Sequence, residues 1–329
     1  MARILVTGGA GFIGGHLAES FVTDGHDVVV LDNFDPYYDA RIKEQNVDAG
    51  RRAAAQSHGS YELVRGDIRE SETVDSLVAD AEFVYHQAAQ AGVRAEISPT
   101  KYNEVNVDGT VNLLEAARRH GVERFVLASS SSVYGEYEYL PYDESHLTRP
   151  VSTYGASKLA AERYTMVHAA RYGLPAVALR YFTVYGPRMR PNMAISNFVS
   201  RCLDGEPPVI YGDGTQTRDF TFVSDVVGVN RKLLDDGSAD GEVLNIGSTD
   251  NIAIETLAAE IRDQLAPDLE LVYTDGYDVD ADHTHAGIEK ANELLGYEPT
   301  YAIRSGVGAF IEWYRDNRGW YEPLVRGSA

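Results

Sequence analysis

The chain has 329 residues, 44% of them hydrophobic and 10% aromatic, enough to bury the core of one large or two modest domains. Fifty acidic residues stand against 29 basic ones, a net charge of −21, and only five of the bases are lysines. That balance argues against nucleic-acid and anionic-membrane partners, which require a basic face. A single cysteine, Cys202, excludes an intramolecular disulfide framework or a cysteine metal cluster.

An acidic, lysine-poor surface fits a salt-rich cytoplasm, where screening relieves self-repulsion. Full stability in dilute buffer would contradict that reading. No run of eighteen apolar residues spans a membrane. The opening "MARILVTGG" lacks the apolar region and cleavage site of a signal peptide, so a cytoplasmic protein is expected.

In chain order, "RILVTG" is an apolar run stopped by glycine, followed by a helix-like "GGHLAESFVTDG". Further buried-strand runs are "HDVVVLDN", "YELVRGD", "AEFVYHQAA", "RFVLASSS" and "PAVALRYFTVYG". Helical stretches lie between them, at 111–121 and 152–173. Continuous apolar strands alternating with amphipathic helices predict an α/β fold, a doubly wound parallel sheet of Rossmann type. Beyond Gly186 the alternation fades into Gly/Pro/Asp punctuation, with one more strand at 241–248 and helices near 255–265 and 288–295. This predicts a smaller C-terminal α/β substrate lobe. The expected division gives 1–180 plus about 219–247 to the first domain, and 181–218 plus 248–329 to the lobe.

"TGGAGFIGGHL" sets Gly8, Gly11 and Gly14 three residues apart, between the first strand and the first helix. Glycine costs entropy and packs nothing, so the cluster needs a backbone reason. The reading is that a dinucleotide lies on the bare backbone, its pyrophosphate at the helix start. The second strand ends in Asp32, whose carboxylate would accept from ribose hydroxyls and repel a 2′-phosphate. NAD is favoured over NADP.

"YGASK" puts Tyr154 and Lys158 four apart on one helix face, downstream of serines 129–132 at a strand end. Loss of hydride from an alcohol requires a base for its proton. A free phenol, with a pKa near ~10, is too weak, but a neighbouring ammonium favours phenolate. Ser130 can hold the reacting oxygen. The three types together indicate hydride transfer at an alcohol or ketone.

These motifs, with "GD" at 66–67, "HQAAQAGVR", "YNEVNVDGT", "SSSSVYG", "RYFTVYGPR", "YGDGTQTRDFTFVSDV" and "ELLGYEP", resemble the extended branch of the short-chain dehydrogenase/reductase superfamily. That branch comprises nucleotide-sugar epimerases and dehydratases. The resemblance implies cofactor contacts from Phe12, Ile13 and Asn33. It further implies that Asp67 and Ile68 flank the adenine, that Ala88 and Ala89 pass under the cofactor, and that Asn106 supports the site. It implies a UDP-sugar substrate touched by Arg94, Ser131, Ser132, Thr183, Asn197 and Arg218, and a homodimer built from helices near 99–120 and 152–172.

The family's dehydratases and decarboxylating members carry acids just before Val-Tyr-Gly, where this chain has Ser131 and Ser132. Without them a ketone can only be reversed, so the resemblance implies 4-epimerisation. A UDP-glucose/UDP-galactose type leads. UDP-glucuronate is the alternative, with Arg188 or Arg190 pairing a C6 carboxylate. Another nucleotide-sugar reductase or dehydrogenase, or a non-catalytic NAD-binding regulator, stays open. One departure is "HTHAG", where the family has an arginine that touches the nucleotide; His283 and His285 lack a third metal ligand, so no metal is expected and a solvated loop is the reading, with Gly287 at its end.

Overall fold

A parallel sheet binds ligands at the carboxyl ends of its strands, so the strand order fixes where a site can lie. The computed structural model describes all residues except 93–96, 137–138, 249, 277–280 and 328–329. The first part of the chain runs β1 (Arg3–Thr7), α1 (Phe12–Thr23), β2 (Asp27–Asp32), α2 (Ala40–Gln56), β3 (Ser60–Arg65), α3 (Ser71–Val78) and β4 (Phe83–His86). It continues through α4 (Pro99–Tyr102), a π-helical stretch (Asn103–Asp108), α5 (Gly109–His120), β5 (Arg124–Ser130), α6 (Thr153–Tyr172) and β6 (Ala176–Tyr181). The remainder comprises β7 (Thr183–Tyr185), α7 (Ala194–Leu203), β8 (Val209–Tyr211), β9 (Thr217–Phe222), α8 (Val223–Asp235) and β10 (Val243–Ile246). Then follow β11 (Asn251–Ala253), α9 (Ile254–Leu265), β12 (Val272–Thr274), α10 (Glu289–Leu295) and α11 (Ile303–Arg326).

Seven strands form one parallel sheet in the order β10-β6-β5-β4-β1-β2-β3. Its inner strands are mostly apolar because both faces are covered, whereas the edge strand β3 carries Ser60, Glu62 and Arg65. On one face α1 and α8 bring Leu17, Phe21, Val226 and Leu233 onto Ile4, Val6 and Val28. On the other, Val74, Leu113, Ala117 and Ala161 of α3, α5 and α6 pack on Leu5, Val84 and Phe125. The order reverses between β1 and β4, and the crevice at that switch point is where such sheets bind ligands.

The segment 175–186, expected as one strand, is two. It leaves the large sheet after Tyr181 and re-forms as β7 in a three-stranded sheet, β11-β9-β7. Neither glycine nor proline marks the break. The division expected at 218/219 falls inside β9, which pairs along its length with β7 and β11. A separate core of Ile195, Phe198, Ile210, Leu257, Phe310 and Tyr314 underlies this smaller lobe.

Helix α6 is fixed at both ends. Ser152 Oγ accepts from Gly155 N at 3.1 Å, and Gly173, at φ 69°, closes the last turn in the left-handed region. Between those caps Tyr154 and Lys158 share one face, toward β5.

Candidate active site

A cleft of about 530 Å³ opens at the switch point, between the C-terminal strand ends of the large sheet and the smaller lobe. Gly8, Gly11, Phe12, Ile13 and Gly14 form one wall. Gly8 has φ 66°, and a Cβ there would stand 2.7 Å from the Ala88 Cα. A Cβ on Gly14 would stand 2.3 Å from the Gly8 carbonyl oxygen. The expectation that all three glycines are bare because a dinucleotide lies on them is therefore corrected. Gly8 and Gly14 make room for the protein's own backbone, which tightens the turn and seats α1 close to β1. The turn presents the unbonded N–H groups of the first turn of α1 to the cleft, and that geometry fits a pyrophosphate.

Asp32 lies in the same wall and is almost completely buried. Its carboxylate accepts from Ala10 N at 3.2 Å, Phe34 N at 2.8 Å and Lys43 Nζ at 3.0 Å. Lys43, on α2, is a partner the sequence reading missed; its side chain is only 8% exposed, so the pair is a buried one. Farther out, Asn33 Nδ2 donates to Asp67 at 2.8 Å. The Arg69 guanidinium bonded to Asp67 holds that carboxyl down at about 2. Ile68, Ala88 and Ala89 complete this end of the cleft.

Asn106 lies outside the cleft lining, in the π-helical stretch, fully buried. Its side chain accepts from Gln90 N at 2.7 Å and donates to Gln90 O at 3.0 Å and Ser157 Oγ at 2.8 Å. Ser157 Oγ in turn donates to the Tyr154 carbonyl at 2.8 Å. Asn106 thus links the strand-four loop to the helix bearing Tyr154. A second chain of bonds, also unread from the sequence, runs beneath it. Thr110 Oγ1 donates to Asn106 O at 2.6 Å, so it accepts from His86 Nε2 at 2.9 Å, and His86 Nδ1 accepts from Thr7 Oγ1 at 2.7 Å. Burial, with Lys158 adding to it, lowers His86 to about 3, so the ring is neutral.

Ser130, Tyr154 and Lys158 converge on the cleft from β5 and α6. Ser130 Oγ accepts from Ser132 N at 3.1 Å. The Tyr154 ring lies 6.2 Å from that of Tyr102. Lys158 Nζ donates to Ala128 O at 2.7 Å, and burial lowers this amine to about 8. An ammonium so poorly solvated gains most from an adjacent anion, and a phenolate is one.

Ser131, Ser132, Thr183, Arg190 and Arg218 also line the cleft. Two expected substrate contacts are corrected. Arg188 turns away: its guanidinium donates to His16 Nδ1 at 2.7 Å and to Glu19 at 2.5 Å, both on α1. Its backbone is left-handed, φ 64°. Asn197 Nδ2 donates to Met193 O at 3.0 Å within its own helix and does not reach the cleft lining. Arg94 falls outside the described residues. The segment at His283 is no solvated loop: its backbone pairs with Thr217, and His283 Nδ1 lies 2.9 Å from Thr217 Oγ1. Gly287 N donates to Tyr142 O at 2.7 Å.

Residues 4–247 match the family described as the NAD dependent epimerase/dehydratase family. The chain belongs to that family. It is an NAD-dependent enzyme, and the glycine turn with its Asp32 carboxylate fits that cofactor. UDP-glucuronate 4-epimerase 1 of Arabidopsis thaliana is 35% identical over 338 residues, 96% of this chain and 77% of the relative. The Bacillus cereus UDP-glucuronic acid 4-epimerase, solved with UDP-glucuronic acid and NAD, is 34% identical with a TM-score of 0.88, covering 95% of this chain and 99% of that one. The Thermotoga maritima UDP-glucose 4-epimerase, solved with UDP-glucose, is 32% identical with a TM-score of 0.87, covering 96% and 99%. Among the described residues of this epimerase-family chain, no helix is long and apolar enough to cross a membrane.

Proposed function

We propose that the protein is a 4-epimerase of UDP-hexuronates, working through a transient 4-keto sugar. The observation that carries the choice of sugar is the charge of the cleft. Its lining carboxylates, Asp32, Asp35 and Asp67, all follow β2 and β3 at the adenosine end. Arg190 and Arg218 also line the cleft, Arg190 against Tyr37 of the β2–α2 loop, and no further lining carboxylate stands among the described residues. Arg190 has no carboxylate within 4 Å among those residues; it leans on the Tyr37 ring at 5.6 Å and on Met193 Sδ at 3.7 Å. A diphosphate occupies one guanidinium, Arg218. The second fits a further anion, the C6 carboxylate, which an arginine can grip bidentately.

NAD, when bound, would supply a reversible hydride acceptor for C4 of the sugar. Tyr154 takes the O4 proton and later gives it back, as a general base then acid. Lys158 favours the phenolate, and Ser130 orients the oxygen. Ser131 and Ser132 supply no carboxylate for elimination, so reduction of the ketone is the productive exit.

The test compares kcat/KM for UDP-glucuronate and UDP-glucose in the natural chain and in Arg190→Ala. Loss of a charge-assisted pair is expected to lower the UDP-glucuronate value by about 10²-fold while UDP-glucose changes little. Equal losses on both sugars, or a natural preference for UDP-glucose, would favour the hexose reading. We also propose a homodimer through α4, α5 and α6, supported by the exposed Tyr164, Val167 and Tyr172 on the outer face of α6. Light scattering that gave a monomer mass would refute it.

A further inference from the structure

Helix α2 carries no residue that lines the cleft except Lys43, yet one more of its side chains reaches the glycine turn. Asn46 is 1% exposed, and its Nδ2 donates to two successive carbonyls, Ala10 O at 2.9 Å and Gly11 O at 2.9 Å. Both partners are acceptors, so the amide can be oriented only one way. Its Oδ1 is then left buried without a hydrogen-bond partner among the described residues. An orphaned buried acceptor costs about 1–3 kcal/mol, so this amide is a poor choice for stability alone.

A trans peptide is planar, with C=O and N–H pointing in opposite directions. The Gly11 carbonyl is shared between Asn46 Nδ2 and Gly15 N, which donates to it at 2.9 Å, and holding it in that direction turns the Phe12 N–H toward the cleft. The Gly11 N–H is already committed to Gly8 O at 2.9 Å, which leaves the Phe12 N–H as the first free donor at the start of α1. The turn is held elsewhere by Ala10 N on Asp32, and Lys43, one turn before Asn46, holds Asp32 from the same helix. Asp32, the turn and α2 form a closed ring of bonds.

We propose that Asn46 is a positioning residue for cofactor retention: it fixes the peptide planes of the glycine turn so that the N–H groups of α1 are aimed at the pyrophosphate. Gly15 belongs to the same device. A Cβ there would stand 2.9 Å from both Cβ and Cγ of Asn46, so the second glycine of "IGGHL" keeps the amide in place.

The experiment removes NAD, measures its reassociation by fluorescence titration, and records thermal unfolding of the NAD-free chain beside kcat at saturating NAD. Asn46→Ala removes the donors; Asn46→Asp keeps the shape but offers acceptors to two carbonyls. With two hydrogen bonds at stake, Kd for NAD is expected to rise about 10-fold or more, with kcat at saturation within about twofold. Gly15→Ala should weaken NAD in the same way while removing no donor and favouring the helix. A folded Asn46 variant whose Kd stays within about twofold would overturn the proposal, as would lower unfolding temperature with unchanged Kd, the mark of a purely structural residue. If neither Asn46 variant folds, an unchanged Kd in Gly15→Ala decides against it.

Discussion

Replacing Tyr154 with phenylalanine is expected to lower epimerase turnover by 10²- to 10⁴-fold, the range that one positioned general base contributes. The argument rests on what the substitution leaves alone. Phenylalanine keeps the ring beside Tyr102 and the Tyr154 carbonyl that Ser157 Oγ bonds, so α6 should hold its register. Lys158 keeps its bond to Ala128 O. Only the phenolic O–H is lost, and with it the group proposed to exchange the O4 proton. NAD content after purification should match that of the natural chain, because the glycine turn and Asp32 lie on other elements. Residual activity above a few per cent would count against Tyr154 as the base.

Asp32→Ala should do two things at once. In its proposed role the carboxylate accepts from both ribose hydroxyls, two charge-assisted bonds each contributing about 1.5–3 kcal/mol, so NAD affinity should fall by at least about 10²-fold. The same change strands Lys43, whose ammonium is 3.0 Å from Asp32 in a buried site. Removing one partner of a buried pair costs about 3–5 kcal/mol, so the chain should also be markedly less stable. The double variant Asp32→Ala/Lys43→Met separates the effects: stability should return in part, since an apolar pair is tolerated there but the Ala10 and Phe34 N–H groups still lack Asp32, while NAD affinity stays low. Absorbance ratios and NAD titration read the first effect, and thermal unfolding of the NAD-free chain reads the second. Undiminished NAD in the single variant would remove Asp32 from the site.

The large sheet was legible because strands buried on both faces must be apolar along their whole length, and "ILVT", "VVVL" and "FVLAS" leave no other reading. Tyr154 and Lys158 were legible because helical spacing alone puts them side by side. The two ends of the cleft were less so. Helix α2 buries only scattered residues such as Ile42 and Val47, and Lys43 and Asn46 acquire meaning only when it folds back on α1. The glycine spacing told that no Cβ fits at Gly14, but not that the occupant is the Gly8 carbonyl. Arg188 and Arg190 are equivalent candidates as letters. Only their partners separate them: Arg188 is bound to His16 and Glu19 of α1, while Arg190 lines the cleft. The break after Tyr181 carries no punctuation, because what ends β6 is the competing pairing of β7 with β9.

That break is one of several places where the chain changes sides. It passes from the large sheet to the small one after β6, returns at the junction of β9 and α8, leaves again after β10, comes back to α10, and departs finally into α11. A pair of lobes sewn together so many times has no single hinge about which to swing apart. On the proposed mechanism the ketone shows its other face before reduction, so the epimerase's choice of sugar becomes a question of which rings have room to somersault between the two lobes.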